Sequence, residues 1–322
     1  MKKISIIIPC KRVDLMTEMC IRKCLDLDYS DYEILVLSDE IYKNKPKEFS
    51  DKKIKFIVTG EIKPSSKRNI GMKSAKGEFF AFIDSDAYPT RDWLKNAIKC
   101  FEDDNIGIVG GPNLTPENAN IWERISGYTL SNLLVSGMAC IRYKTAKRGF
   151  VKELPSCNYI SRRNASSEYD SSFLTAEDSE FCFNAIKKGY KVMYAPDVVV
   201  YHHRRDTLKK HLKQMFVYGR DIAWLTKKDF SFDKIYYSIL SLFIIGLLSF
   251  IILAGYNPLI RKLLLFFILF YFSIIFLTSI HEDFKVTLLV TITGILTHFS
   301  YGLGYLQGIS LKRPTNPEVS PH

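Results

Sequence analysis

The sequence predicts an α/β domain followed by α-helices that span a membrane. Before about residue 235, charges are dense and short, continuous apolar runs alternate with helix-like stretches. After it come three long apolar segments with few charges. Apolar strands that alternate with helices are typical of a mostly parallel sheet covered on both faces. Because ligands of such sheets bind beyond the carboxyl ends of the strands, the polar residues just past each strand are the candidate site.

The opening apolar run is predicted to be the first strand, over residues 4–8, because it ends at Pro9. It is shorter than the roughly 7–15 apolar residues of a secretory signal, so we expect this domain to lie in the cytosol. Later apolar runs predict strands over residues 33–37, 54–58, 78–83 and 106–109, and helical patterns predict helices over 15–25, 67–76 and 93–101.

The last third of the chain contains segments long enough to span a bilayer, which takes about 20 apolar residues. Spans are predicted at about 236–256, 263–280 and 286–309. The Lys and Arg residues before the first span place the α/β domain in the cytosol of a multi-pass cell-membrane protein. Three crossings would put Lys312 and Arg313 outside, along with Arg261 and Lys262, which fits that rule poorly. Either the first span sets the orientation, or the later segments form a shallower hairpin.

The segment just before the first span is strongly basic, with nine basic and four acidic residues from Arg204 to Lys234. Its apolar residues fall on one helical face, a pattern typical of helices at a membrane interface. Each Lys or Arg near an anionic leaflet contributes about 1 kcal/mol of attraction. An amphipathic helix packed on the α/β domain is the alternative. The predicted organisation is an α/β domain (1–206), a juxtamembrane segment (207–234), transmembrane helices (235–311) and a tail (312–322).

The whole chain is basic, with 45 Lys and Arg against 34 Asp and Glu. Such an excess favours anionic partners such as phosphates and acidic lipids, and we expect no nucleic-acid partner. The seven cysteines are odd in number, form no CxxC pair and have no His or Cys pair that would complete a zinc site. We interpret them as reduced, packed thiols of a cytosolic domain.

Two carboxylates, Asp84 and Asp86, follow the strand predicted over residues 78–83. In that position they predict a hard divalent cation, which takes carboxylate oxygens together with phosphate oxygens of a substrate. A bound Mg²⁺ or Mn²⁺ offsets charge on a leaving diphosphate. The alternative is a capped turn, which Asp and Ser also favour. Upstream, Lys67 and Arg68 at a helix start predict a phosphate contact, unless they form an ordinary solvated helix end.

Two further polar residues lie at predicted element ends. Asp178 begins a helical pattern that runs to about Lys187, so it is either an N-cap or a general base that activates an acceptor hydroxyl. His202 ends a strand that runs into a basic cluster, where a neutral imidazole could complete a metal site held by Asp86. The alternative for His202 is a purely structural histidine.

These features occur in one order, and in that order the chain resembles the inverting family 2 glycosyltransferases, over about residues 3–225. The resemblance implies a GT-A fold, a Rossmann-like nucleotide-diphospho-sugar transferase domain, and Mg²⁺ or Mn²⁺ as cofactor. The matching pieces are residues 5–9, 33–39, 67–71 with 75–78, 84–86, 157–163, 177–178 and 189–202.

The resemblance also implies roles for individual residues. Asp39 would hold the nucleotide base, Arg68 would lie near the ribose or phosphates of the donor, and Asp84 would contact the ribose or sugar. Pro9 and Asn158, within matching pieces, complete the implied donor-binding set. By the same resemblance Asp86 ligates the metal, His202 contacts the metal or diphosphate, and Asp178 deprotonates the acceptor.

The predicted function is inverting transfer of a sugar from a nucleotide-diphosphate sugar to a lipid-linked glycan or polyprenyl-phosphate acceptor in the membrane. Processive synthases carry a Gln-x-x-Arg-Trp motif near the juxtamembrane segment. Here no Arg-Trp follows Gln214 at that spacing, which argues against long-chain synthesis. Two alternatives stay open: a nucleotidyltransferase, which would release pyrophosphate, and a catalytically inactive membrane scaffold with the same fold. Assays of the released nucleotide product and of metal-dependent donor hydrolysis would separate them.

Overall fold

The computed structural model describes residues 2–43 and 45–313. Short 3₁₀ helices cover Lys47–Ser50, Gly137–Tyr143 and Phe232–Ser238. The strands are β1 (Ile4–Pro9), β2 (Tyr32–Ser38), β3 (Ile54–Val58), β4 (Phe79–Phe82), β5 (Ala87–Pro89), β6 (Ile106–Gly110), β7 (Asn113–Leu114), β8 (Gly149–Val151), β9 (Tyr159–Arg162), β10 (Lys191–Tyr194) and β11 (Val200–His202). The α-helices are α1 (Leu15–Leu25), α2 (Pro64–Ser74), α3 (Trp93–Cys100), α4 (Ile121–Ser131), α5 (Leu133–Ser136), α6 (Glu177–Lys187), α7 (Leu208–Lys228), α8 (Ile239–Tyr256), α9 (Pro258–Thr278) and α10 (Phe284–Ser310).

The main sheet has the strand order β3-β2-β1-β4-β9-β6-β10-β8. Its first four strands are parallel, and β1 lies between β2 and β4, with Ile7 opposite both Leu35 and Phe82. Strand β9 runs antiparallel to both β4 and β6, so the sheet is mixed rather than mostly parallel as predicted. The four residues of β9 are too few to give a periodic signal in the sequence, which is why this strand was not predicted.

A second, three-stranded sheet has the order β5-β11-β7. Strand β5 follows β4 after a short turn, and it pairs antiparallel with β11 so that Ala87 lies opposite His202. Strand β7 pairs parallel with β11 on the other side. This small sheet therefore brings the end of β4 next to a segment more than 100 residues later in the chain.

Large apolar side chains fill the core of the α/β fold. Alternate residues of β1, Ile4, Ile6 and Ile8, are fully buried on one face and pack with Trp93 and Leu94 of α3. Full burial of such side chains contributes about 1.5–3 kcal/mol each. The sheet that carries the candidate site is thus held by continuous apolar strands, as the sequence predicted.

The chain divides into two compact units. The α/β unit comprises the chain up to Pro116 together with Lys144–His203, and contains both sheets. The helical unit comprises Glu117–Tyr143, which we call the excursion, together with residues 204–313 of the described chain. The excursion was not predicted, because the segments that form α4 and α5 were interpreted as part of one continuous α/β domain over residues 1–206.

Helices α7 and α10 of the helical unit pack backbone to backbone. A Cβ atom added to Gly219 of α7 would lie 2.1 Å from the carbonyl oxygen of Tyr301, and one added to Gly304 of α10 would lie 2.0 Å from that of Phe216. The buried face of α7, including Met215, is therefore covered by protein. The predicted amphipathic helix is therefore present, and its buried face packs against α10 within the helical unit.

Three helices are long and apolar enough to cross a membrane: Lys234–Tyr256, Pro258–Thr278 and Phe284–Ser310. The second begins about five residues before its predicted start because Asn257 caps it and Pro258 opens it, ahead of Arg261. The third is the most buried of the three, at 44% of its most apolar stretch against 17% and 6%.

Candidate active site

Three potential metal ligands meet where β4 ends. One ligand atom each of Asp84, Asp86 and His202 lies within 4.8 Å of the others. The Nε2 atom of His202 is 3.1 Å from a carboxylate oxygen of Asp86. Two carboxylates and an imidazole suit Mg²⁺ or Mn²⁺, with positions left for substrate oxygens. The structure therefore brings together the Asp-x-Asp pair and the histidine that the sequence singled out.

Backbone pairing holds this cluster in place. The turn after β4 is closed by a hydrogen bond from the Ala87 amide to the Asp84 carbonyl, 3.1 Å long. On the facing strand, the His203 amide donates to the Asp86 carbonyl over 3.1 Å. The register of β5 with β11 thus fixes the imidazole of His202 beside Asp86.

The electrostatics of the cluster favour a bound cation. Burial lowers the pKa of His202, but the charges of Asp86 and Cys157 and the hydrogen bonds to them together outweigh burial and raise this pKa to about 10. The proton that His202 holds against Asp86 offsets the negative charge of that carboxylate, as a bound cation would. A divalent ion that binds Asp86 would replace that proton and release His202 as a neutral ligand.

Arg68 lies between two carboxylates rather than in solvent. Its guanidinium donates to Asp84 over 2.6 Å and to Glu177 over 3.3 Å, and stands over the ring of Tyr169. Its side chain is only 4% exposed. The resemblance implies that Arg68 lies near the ribose or phosphates of the donor, and the structure places it against Asp84, where it orients that carboxylate.

Asp39, expected to hold the nucleotide base, follows β2 and pairs with a buried lysine. The ammonium of Lys67 contacts the Asp39 carboxylate and the carbonyl of Cys10. Lys67, which was predicted to contact a phosphate, therefore binds protein groups. The next residue but one, Asn69, holds the segment before α6 through two hydrogen bonds with the backbone of Tyr169. Three consecutive residues of α2 thus tie together three parts of the site.

Asp178 is the second residue of α6, and the N-cap is Ala176. The N-cap interpretation of Asp178 is therefore wrong. Its carboxylate accepts a hydrogen bond from the Ser179 amide over 2.8 Å and from the Ser156 amide over 3.3 Å. These contacts orient the Asp178 carboxylate.

Glu177 is a site residue to which the sequence reasoning assigned no role. It is buried beside Asp178 and bonded to Arg68. Burial and the charge of Asp178 raise its pKa to about 8, against the opposing effect of Arg68. The only sequence signal for Glu177 was its position next to Asp178 in the matching piece 177–178. Its partner Arg68 lies 109 residues away in the chain, so their contact could not be predicted from a local pattern.

The other two residues of the implied donor set lie inside the protein. Both amide protons of Asn158 go to backbone carbonyls, of Pro112 and Val198, and its side-chain oxygen accepts from the Trp93 indole over 2.8 Å. The Asn158 side chain is fully buried, so it braces the scaffold and is not placed to contact a ligand. Pro9 is the buried last residue of β1, opposite Leu37.

Comparison with known proteins identifies the family. Residues 79–301, more than half of the chain, match the model of glycosyl transferase family group 2. The chain belongs to this family. It is a glycosyltransferase, and the mixed sheet with the Asp84–Asp86 turn is a GT-A fold followed by three apolar helices that could span a membrane.

Relatives of this glycosyltransferase include enzymes named for lipid-linked substrates. It is 29% identical to a dolichyl N-acetyl-alpha-D-glucosaminyl phosphate 3-beta-D-2,3-diacetamido-2,3-dideoxy-beta-D-glucuronosyltransferase of Methanococcus voltae, over 78% of this chain and 84% of that protein. It is 32% identical to a UDP-Glc:alpha-D-GlcNAc-diphosphoundecaprenol beta-1,3-glucosyltransferase of Escherichia coli, over 34% of this chain and 44% of that protein.

A solved structure supports the fold over nearly the whole chain. The mannosyltransferase PcManGT from Pyrobaculum calidifontis, in complex with GDP-Man and Mn²⁺, superposes with a TM-score of 0.65. The match covers 95% of this chain and 87% of that one, at 13% identity. At this identity the likeness concerns the fold.

Proposed function

We propose that this glycosyltransferase moves a sugar, with inversion, from a nucleotide-diphosphate sugar to a lipid-linked acceptor at the membrane. The observation that carries the proposal is the convergence of Asp84, Asp86 and His202 within 4.8 Å at the end of β4. Relatives named for dolichyl-phosphate and diphosphoundecaprenol substrates support the acceptor class. Three apolar helices in the same chain support a membrane location.

The donor half of the site is assigned to the end of the parallel strands. Asp84, Asp86 and His202 would hold Mg²⁺ or Mn²⁺, which supplies positive charge against the diphosphate leaving group. Arg68 keeps the Asp84 carboxylate in place from behind. Asp39 reaches the nucleotide base with one oxygen while Lys67 neutralises its charge.

The acceptor half is assigned to the first turn of α6. Asp178 takes a proton from the acceptor hydroxyl as its oxygen attacks the anomeric carbon, and the nucleoside diphosphate leaves from the opposite side. The backbone amides of Ser156 and Ser179 hold the Asp178 carboxylate in orientation. A positioned base of this kind contributes about 10²–10⁴-fold to the rate.

The proposal is tested with the full-length protein in detergent or liposomes, supplied with labelled nucleotide sugars, Mn²⁺ or Mg²⁺, and polyprenyl-phosphate or polyprenyl-diphosphate-sugar lipids. Donors are first chosen by thermal shift, since a ligand at 100 times its Kd adds about 2.7 kcal/mol of stability. We expect label in the organic phase, dependent on lipid and metal, with release of nucleoside diphosphate. Release of pyrophosphate, or transfer undiminished by excess chelator, would contradict the proposal.

A further inference from the structure

Helices α7 and α10 run side by side in the same direction, and their C-terminal ends are bonded to each other. Near the start of α7, the Leu212 carbonyl accepts a hydrogen bond of 2.7 Å from the hydroxyl of Ser300, in the second half of α10. At their ends, the Lys227 ammonium donates to the carbonyls of Ile309 and Leu311 over 2.9 and 3.1 Å, and the Trp224 indole donates to Leu311 over 3.3 Å. The end of α10 therefore lies on the same side of any membrane as the end of α7.

Helices α8 and α9 form a hairpin, joined by Asn257 alone. Phe243 of α8 contacts both Phe267 and Tyr271 of α9, with ring centroids 6.2 and 5.2 Å apart, as expected for antiparallel neighbours. Both helices are long enough to span and expose most of their apolar side chains. Two such helices cross a bilayer together, so the chain returns after α9 to the side on which α7 ended.

The start of α10 thus lies on the same side of the membrane as the end of α7. The end of α10 is bonded to the end of α7, so it lies on that side too. A crossing would separate those two ends by the roughly 30 Å of the hydrocarbon core. Helix α7 carries seven charged residues among its 21, so it does not span and stays on the side of the α/β unit. We propose that α8 and α9 alone cross the bilayer, and that α10 lies with α7 on the membrane face that carries the α/β unit.

The excursion provides a second, independent observation. The Asn132 side chain donates to the backbone carbonyl of Thr278, the last residue of α9, over 3.1 Å, and the ring of Tyr128 lies 4.2 Å from that of His281. The excursion leaves the α/β unit and returns to it through helices of 11 and 4 residues, too short to span. The end of α9 and the start of α10 therefore lie on the side of the α/β unit.

This arrangement gives the surface layer an apolar face. Phe284, Leu288 and Ile292 are exposed at intervals of four residues along α10, while its opposite side is buried against α7 and α4. The excursion adds exposed Leu133 and Met138. Such one-sided helices insert about 5–10 Å into a membrane interface. The layer of α4, α5, α7 and α10 is thus an interaction surface for the bilayer.

The arrangement also reduces the conflict in the distribution of positive charge, although Arg261 and Lys262 near the hairpin tip stay on the far side. With two crossings instead of three, Lys312 and Arg313 lie on the same side as the basic segment from Arg204 to Lys234. This is the side on which Lys and Arg concentrate in membrane proteins.

Single-cysteine labelling of the full-length protein in intact cells tests the proposal. All seven native cysteines are buried, so an impermeant maleimide reports mainly on an introduced thiol. The variants are Tyr256→Cys at the hairpin tip, Lys312→Cys after α10 and Val58→Cys in the α/β unit, where the native side chains of Tyr256 and Val58 are 88% and 52% exposed.

We expect Tyr256→Cys to be labelled from outside, and Lys312→Cys to be labelled only after permeabilisation, together with Val58→Cys. Labelling of Lys312→Cys from outside along with Tyr256→Cys would show that α10 crosses. Protection of Tyr256→Cys until permeabilisation would show that the hairpin does not cross. Either result overturns the proposal, and neither depends on catalytic activity, so the outcome is separate from that of the proposed function.

Discussion

The α/β unit and the helical unit are stabilised by different kinds of contact. In the first, bulky side chains such as Ile6, Val36 and Trp93 fill the space between sheet and helices. In the second, α7 and α10 approach so closely that Gly219 and Gly304 have no room for a Cβ atom. Substitutions at the site in the α/β unit should therefore alter catalysis. Substitutions at the α7–α10 contact in the helical unit should alter stability and leave the chemistry intact.

The largest effect is expected in the α/β unit, from Asp178→Asn. The amide cannot accept the acceptor's proton, so kcat should fall by about 10²–10⁴-fold while donor affinity stays nearly unchanged. Steady-state kinetics and donor titration measure the two quantities. Asp28→Asn, which removes a carboxylate from an exposed ion pair with Lys95, is the control. Loss of donor affinity at unchanged turnover would show that Asp178 holds the donor instead.

Arg68→Lys should give the next largest effect. A lysine ammonium cannot reproduce the planar fork that bonds Asp84 and Glu177 with different nitrogens. Misplacement of Asp84, which belongs to the donor half of the site, should lower kcat by up to about 10²-fold and weaken donor binding. Lys73→Gln on the exposed side of the same helix should leave both values as they are. Unchanged kcat and donor Kd in Arg68→Lys would contradict the role of Arg68 in positioning Asp84.

In the helical unit, Gly304→Ala should lower stability without altering the chemistry. The added methyl would lie 2.0 Å from the Phe216 carbonyl, so the two helices must move apart. Overpacking of this kind costs about 1–3 kcal/mol. Thermal unfolding in detergent should show a lower Tm, while donor hydrolysis at low temperature is retained. Gly255→Ala in α8, where a Cβ meets open space, is the matched control. Equal Tm values for the two variants would contradict this account of the α7–α10 contact.

The smallest expected effect concerns the pH dependence of stability. Because burial raises the pKa of Glu177 from 4.5 to about 8, the folded protein binds a proton that the unfolded chain loses in that range. The stabilising contribution of this proton is present at low pH and lost as pH rises toward 8. Glu177→Gln should flatten this decline in Tm between about pH 5 and pH 8, relative to Glu168→Gln on the surface. An unchanged slope would mean that Glu177 is ionised throughout.

The same contrast between the units explains what could be predicted from the sequence. Buried strands can be recognised in a sequence as continuous apolar runs, so β1 to β4 and the polar turn at Asp84 and Asp86 were predicted. His202 was proposed from the sequence to complete that site, but the pairing of β5 with β11 that brings it there was not predicted. Glu177 was missed because its importance comes from Arg68, a contact between distant segments. Asn158 was misassigned because a motif match does not show whether a side chain faces the ligand or the core.

The helical unit was predictable in composition but not in arrangement. Apolar length revealed three candidate spans, yet length does not distinguish a helix that crosses from one that lies against its neighbour. The deciding information for α10 is the contact of its end with Lys227 and Trp224, which no local pattern encodes. The Gly and Thr residues of α10 were a partial signal, since small residues permit close helix packing.

Direct titration of Mn²⁺ tests the central claim, that Asp84, Asp86 and His202 form one cation site. Free Mn²⁺ is followed by electron paramagnetic resonance as it is added to the full-length protein with a nucleoside diphosphate present. We expect one site in the parent protein, with markedly weaker binding in both Asp86→Asn and His202→Gln and parent-like binding in Asp92→Asn, an exposed carboxylate near Lys95. Mn²⁺ binding by Asp86→Asn and His202→Gln that equals that of the parent would contradict the account.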